Sequence, residues 1–198
     1  MPEFDYRTAW PQLAKPQFIA LSRPVKDIFR QVAREAKDLP QNHDCSMSFP
    51  EDSDLRAKME ALDNEELAHA ARVIYFFGHW SPAKAKVSRI GNGATWRFAL
   101  LADRVLRDRH NVTVDSCGRT GILIIEGYVR VFYQTRDCWT WKEVGPATDA
   151  IVQCTRLLVN DTSRNSESDD WLKSVVDRIR PLCDNNARLW LTTNKYMK

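Results

Sequence analysis

All seven glycines of this 198-residue chain fall between Gly78 and Gly145. Glycine frees the backbone for turns, bulges and helix stops, and costs about 1 kcal/mol inside a helix. The two glycine-free ends are therefore expected to be largely helical, and the middle to hold the sharp turns and the strands. Proline is biased the other way. Six of the nine lie in the first 50 residues, Pro2, Pro11, Pro16 and Pro24 among them. Residues 1–23 are accordingly expected as an extended arm, and 24–198 as one α+β domain. A chain of this size buries roughly 70% of its unfolded surface, so its stability needs neither disulfides nor a metal.

Hydrophobic spacing fills in the elements. A helix over 24–38 places Val25, Ile28, Phe29, Val32 and Ala36 on one face, with Pro24 at its start. A loop over 40–50 and a short helix near 55–59 lead to Asp63, which with Glu66 forms a capping-box-like opening. The next helix buries Leu67, Ala70, Ala71, Ile74 and Phe77 and is expected to stop at Gly78. Ser81-Pro82 starts a further helix that ends at Gly91. After the turn Gly91-Asn92-Gly93, another turns Phe98, Leu101, Ala102, Val105 and Leu106 inward. From Val112 the period changes to two. Strands are expected at 112–114 and 122–126, joined by a turn-rich 115–121, then at 128–133 with Gly127 as a bulge, and at 139–141. Pro146 opens a helix with Ile151, Cys154 and Leu158, and Ser168 caps another with Leu172, Val175 and Ile179. A terminal strand is expected at 189–192. Helices, an antiparallel meander at about 112–143, then helices again make the expected class α+β.

Several functions are excluded early. The longest apolar run, Ile122–Ile125, falls far short of the roughly 20 residues of a membrane span. The first ten residues carry charges of both signs and no apolar secretion segment. The five cysteines, Cys45, Cys117, Cys138, Cys154 and Cys183, have no pair at zinc or redox spacing. Reduced thiols in a cytoplasmic protein, with no cofactor and no membrane partner, are the expectation. Glu66-Leu-Ala-His69 places a carboxylate and an imidazole one helical turn apart, but carboxylate-bridged metal sites need a second copy, and the chain has none. Asp115 and Glu126 lie in adjacent expected strands like a nuclease carboxylate pair. No lysine stands between Lys86 and Lys142 to stabilise attack on phosphate.

The net charge of +3 hides an uneven distribution. Residues 1–78 carry 10 basic and 13 acidic side chains, whereas 79–110 carry seven basic against two acidic. Arg97, Arg104 and Arg107 share one angular face of the expected helix after Gly93. Helix, turn, basic helix and hairpin resemble a winged helix-turn-helix in layout. The resemblance implies DNA or RNA contact through Lys84, Lys86, Arg89, Arg97, Arg104, Arg107 and, at the hairpin tip, Arg119. The competing expectation is the ordinary solvated face of an amphipathic helix.

Aromatic residues suggest a second class of function. Phe4, Tyr6 and Trp10 mark the arm, and Trp139 and Trp141 alternate in phase on one strand and so share a face. Exposed aromatics in a row are costly, so they dock on their own domain or on a protein partner. The chain is then an interaction module of the accessory, inhibitor or immunity type. A third pattern is enzymatic. Arg104 followed by His110 resembles the Arg-x(4–6)-His signature of all-helical ribonucleases of the HEPN type. That resemblance implies metal-independent RNA cleavage by these two residues. Otherwise His110 is favoured at the negative end of a helix dipole.

Overall fold

Pro24 sits in the first turn of α1 (Arg23–Glu35), where a missing N–H costs nothing, and the Ser22 hydroxyl accepts the Val25 N–H at 3.3 Å. The computed structural model describes residues 16–36, 49–50, 52–80, 90–112, 120–134, 139–162 and 169–182. After α1 come α2 (Leu55–Glu60), α3 (Asn64–Trp80) and α4 (Ile90–Arg109). The strands β1 (Thr120–Ile125), β2 (Tyr128–Gln134) and β3 (Trp139–Pro146) follow, then α5 (Asp149–Thr162), α6 (Asp169–Ile179) and a 3-10 turn at Arg180–Leu182. The chain is α+β, with helices on both sides of one antiparallel sheet in sequence. Among the described residues, no helix is long and apolar enough to cross a membrane.

The chain divides into two compact units, Met1–Val105 and Leu106–Lys198. In the first, α1 buries Val25, Ile28 and Val32, α2 buries Leu55 and Met59, and α3 buries Leu67, Ala70, Ala71 and Ile74. Asp63 caps α3 as its sequence implies, its carboxylate accepting the Glu66 N–H at 2.7 Å. Two expectations fail here. Helix α3 runs through Gly78 to Trp80, and α4 takes in Gly91, Asn92 and Gly93, which were expected as a turn. Glycine weakens a helix without stopping it, and burial of Ala94, Phe98 and Leu101 along α4 outweighs the cost. Part of the arm differs as well. Residues 16–20 are helical, and Phe18 meets Phe29 edge-on at 5.6 Å, while Phe29 meets Phe98 at 6.1 Å. Pro16 is compatible with a first helical turn, and this aromatic chain fixes the segment to its own unit. Residues 1–15 lie outside the described set.

In the second unit the sheet is the simple meander β1-β2-β3, spanning 120–146. Val112 is not in a strand, and 113–119, with the hairpin expected there, lie outside the described residues. Gly127 belongs to a turn instead of a bulge. Glu126 (φ 55°) and Gly127 (φ 74°) are both left-handed, the two-residue hairpin geometry that matches strand twist. The bulge lies further on, where the register shifts between Val129 and Arg130 against β3. Val129, Val131 and Ile124 occupy the buried sheet face. Helix α6 packs on β2 and β3, and α5 on β1 and β2. Ile151, Cys154 and Leu158 of α5 and Leu172, Val175 and Ile179 of α6 are buried as their spacing implies. Thr148, two residues after Pro146, caps α5 by accepting the Ile151 N–H at 3.3 Å. Ser168 and the strand expected at 189–192 lie outside the described residues.

Candidate interaction site on the sheet

Only part of the basic segment is described. Lys84, Lys86, Arg89 and Arg119 lie outside the described residues. Arg97 is only 4% exposed, Arg104 is exposed and Arg107 is half-buried. Seven residues apart, Arg97 and Arg104 share an angular position, yet burial also varies along the helix axis, and periodicity carries no axial information. The middle of α4 is buried almost all round: Ala94, Thr95, Phe98, Ala99, Leu101, Ala102 and Asp103 are covered with Arg97. The helix is therefore largely a core element there, with Trp96 the exposed exception, and its charged solvated face begins near Arg104.

His110 lies one residue beyond α4 and is 8% exposed, whereas Arg104 faces solvent. Its Nδ1 stands 3.6 Å from an Asp149 carboxylate oxygen and its Nε2 makes no hydrogen bond. Burial pushes the imidazole below its ordinary range, with Arg156 and Arg109 adding to the effect. Asp149 and the Ala147 backbone pull the other way. His110 is thus buried with its pKa lowered, whereas Arg104, which the ribonuclease pattern pairs with it, is exposed.

The arm residues Phe4, Tyr6 and Trp10 lie outside the described set, and Trp139 is placed in β3 by its backbone alone. Trp141 is 50% exposed, the most open described aromatic of the second unit. Register explains what holds it. Phe132 stands opposite Trp141 and Arg130 opposite Glu143, so the four share one sheet face. The Arg130 guanidinium carbon lies 4.4 Å from the Trp141 ring centroid. Its Nη2 donates to Glu126 Oε2 at 3.2 Å, and Glu143 Oε2 lies at 3.5 Å. Arg130 is itself 8% exposed, and its buried Nε has no hydrogen-bond partner. Glu126 supplies its carboxylate from the left-handed turn position, a conformation costing a residue other than glycine about 1 kcal/mol. The result is a flat indole, stacked on one side by a neutralised cation and open to solvent at its rim.

Sequence reasoning found Trp141, weighed Glu126 only as a nuclease-like partner of Asp115, and missed Arg130 and Glu143. Their alternation with Phe132 and Trp141 was visible, but the register that brings them together depends on a turn and a bulge placed differently in the expectation. The first unit also has a cleft of about 1000 Å³ between α1 and the α2–α3 connection, lined by Ile28, Arg30, Arg34, Lys58 and Leu62. Two of its cations are already engaged. Arg30 pairs with Asp27, and Lys58 pairs with Asp54, whose carboxyl is held below its usual range by hydrogen bonds from Lys58 and Gln31. Comparisons of the chain with family models, curated proteins and solved structures gave no match.

Proposed function

We propose that the chain is a protein-interaction module that docks a partner on the Trp141 face of its sheet. The supporting observation is an exposed indole already fixed against a buried, charge-compensated arginine. Tryptophan and arginine dominate interface hot spots because a rigid ring buries large area with little ordering entropy. Stacking on Arg130 means that the Trp141 ring needs little further ordering on docking. Support for the nucleic-acid alternative is thinner: the segment Gly91–Gly93 is helical, Arg97 is buried, and the Arg130 charge is compensated by two carboxylates.

The test compares wild-type protein with Trp141→Ala as baits, each checked for fold by circular dichroism. Trp141→Ala is expected to lose a specific partner that wild type and an Arg104→Ala control both retain. If the two baits hold the same partners with the same affinity, the proposal is wrong. If binding to mixed-sequence duplex falls with salt and is lost in Arg104→Ala, the nucleic-acid alternative replaces it.

A further inference from the structure

His110 stands where three parts of the second unit meet. Its N–H closes the last turn of α4 on the Leu106 carbonyl at 3.2 Å, and its imidazole hydrogen-bonds the Ala147 backbone between β3 and α5. Ala147 in turn donates its N–H to the Gly127 carbonyl at 2.9 Å, which carries the β2–β3 pairing into the β1–β2 turn. The other residue of that turn is Glu126, whose carboxylate accepts from Arg130 at 3.2 Å. Arg130 then lies 4.4 Å from the Trp141 ring centroid. A continuous series of contacts within one unit joins a titratable ring to the exposed indole.

Both ends of the series are sensitive. The imidazole is 8% exposed, and the charged groups that face it among the described residues are Asp149 and Arg156 of α5 and Arg109 of α4. One carboxylate against two guanidinium groups, with little water at hand, compensates an added proton poorly. At the other end, Glu126 holds a left-handed backbone (φ 55°) that costs a residue with a side chain about 1 kcal/mol. Such a conformation persists only while its surroundings hold it, so the turn has a less strained alternative once its anchor on Ala147 slackens.

We infer that His110 is a pH-sensitive latch on the Trp141 platform. When the ring takes up a proton it is drawn from the α4–α5 joint toward water, and Ala147 loses its support. The turn at Glu126 and Gly127 then relaxes, the carboxylate withdraws from Arg130, and the Arg130–Trp141 stack loosens. The consequence for docking, weaker binding in mildly acidic surroundings, rests on the function proposed above. Burial keeps the proton off His110 until the pH falls below the ordinary value of 6.5, so the latch is closed at neutrality.

Proton NMR of the full chain between about pH 7.5 and about pH 5 tests it. The signals are the His110 ring protons and the Trp141 indole N–H, the latter assigned with Trp141→Phe. Both are expected to titrate with one shared midpoint below 6.5, and the Trp141 shift is expected to vanish in His110→Gln. Asp149→Asn provides a second variant that leaves the buried ring in place, since the Asp149 side chain is 82% exposed. It removes the carboxylate that favours the imidazolium and is expected to move both midpoints to lower pH together. The inference is overturned by a Trp141 signal that stays flat, that still titrates in His110→Gln, or that keeps its midpoint while that of His110 moves. No partner enters the measurement, so its failure leaves docking on Trp141 standing, and a failure of docking leaves the titration unchanged.

Discussion

Replacing Arg130 with alanine removes the group that joins Glu126, Glu143 and Trp141. The side chains of Arg130, Glu126 and Glu143 are 10%, 13% and 28% exposed, so water compensates the first two poorly. Removing one partner of a largely buried ion pair costs about 3–5 kcal/mol, because the other charge is left stranded. Losing the stack on Trp141 adds about 1 kcal/mol. Against this, the native Arg130 Nε is buried without a partner, and its removal returns roughly 1–3 kcal/mol of desolvation. The expected net loss is about 3 kcal/mol, measured by urea unfolding followed in parallel by far-ultraviolet circular dichroism and tryptophan fluorescence. Removing both charges in Arg130→Met with Glu126→Gln is expected to recover most of it, since a neutral pair of similar volume strands nothing. A loss below about 1 kcal/mol for Arg130→Ala, or a double variant as unstable as the sum of its singles, would refute this account of the site.

Gly93→Ala is expected to stabilise the chain by about 0.5–1 kcal/mol in the same unfolding assay, since an added Cβ meets nothing within 4 Å and the position is helical; destabilisation would restore a turn at 91–93. Gly121→Ala is expected to cost about 1–3 kcal/mol, because its Cβ would stand 2.9 Å from the Phe132 ring, and Phe132→Leu in the same chain should relieve part of that cost. Stability should fall with acidification through His110. Its folded pKa lies below the ordinary value of 6.5, so the unfolded chain takes up the proton first; the contribution is complete above pH 6.5 and is lost as pH drops below it. His110→Gln should flatten that slope, and a wild-type chain that gained stability on acidification across this window would contradict the burial. Arg97→Ala should lower the unfolding midpoint while Arg104→Ala leaves it unchanged, and equal effects from the two would contradict the burial of Arg97.

The sequence alone carried the class of fold and most of the core. Val25, Ile28 and Val32, Leu67 and Ile74, and Leu172, Val175 and Ile179 are buried as helical spacing requires, because that spacing is a local property of the chain. The Asp63 cap was equally legible, since donor and acceptor lie three residues apart. Tertiary structure decided what local pattern leaves open. Whether Gly91-Asn92-Gly93 bends or continues a helix depends on how much apolar surface the following residues bury. Whether an arginine on a helix face meets solvent depends on what lies against that stretch of the axis, which is why Arg97 and Arg104 part company. On the sheet, the shift of register between Val129 and Arg130 sets Arg130 opposite Glu143 and beside Trp141. A one-residue change of pairing would have turned those side chains to the other face, and alternation along a single strand cannot fix its neighbour's register.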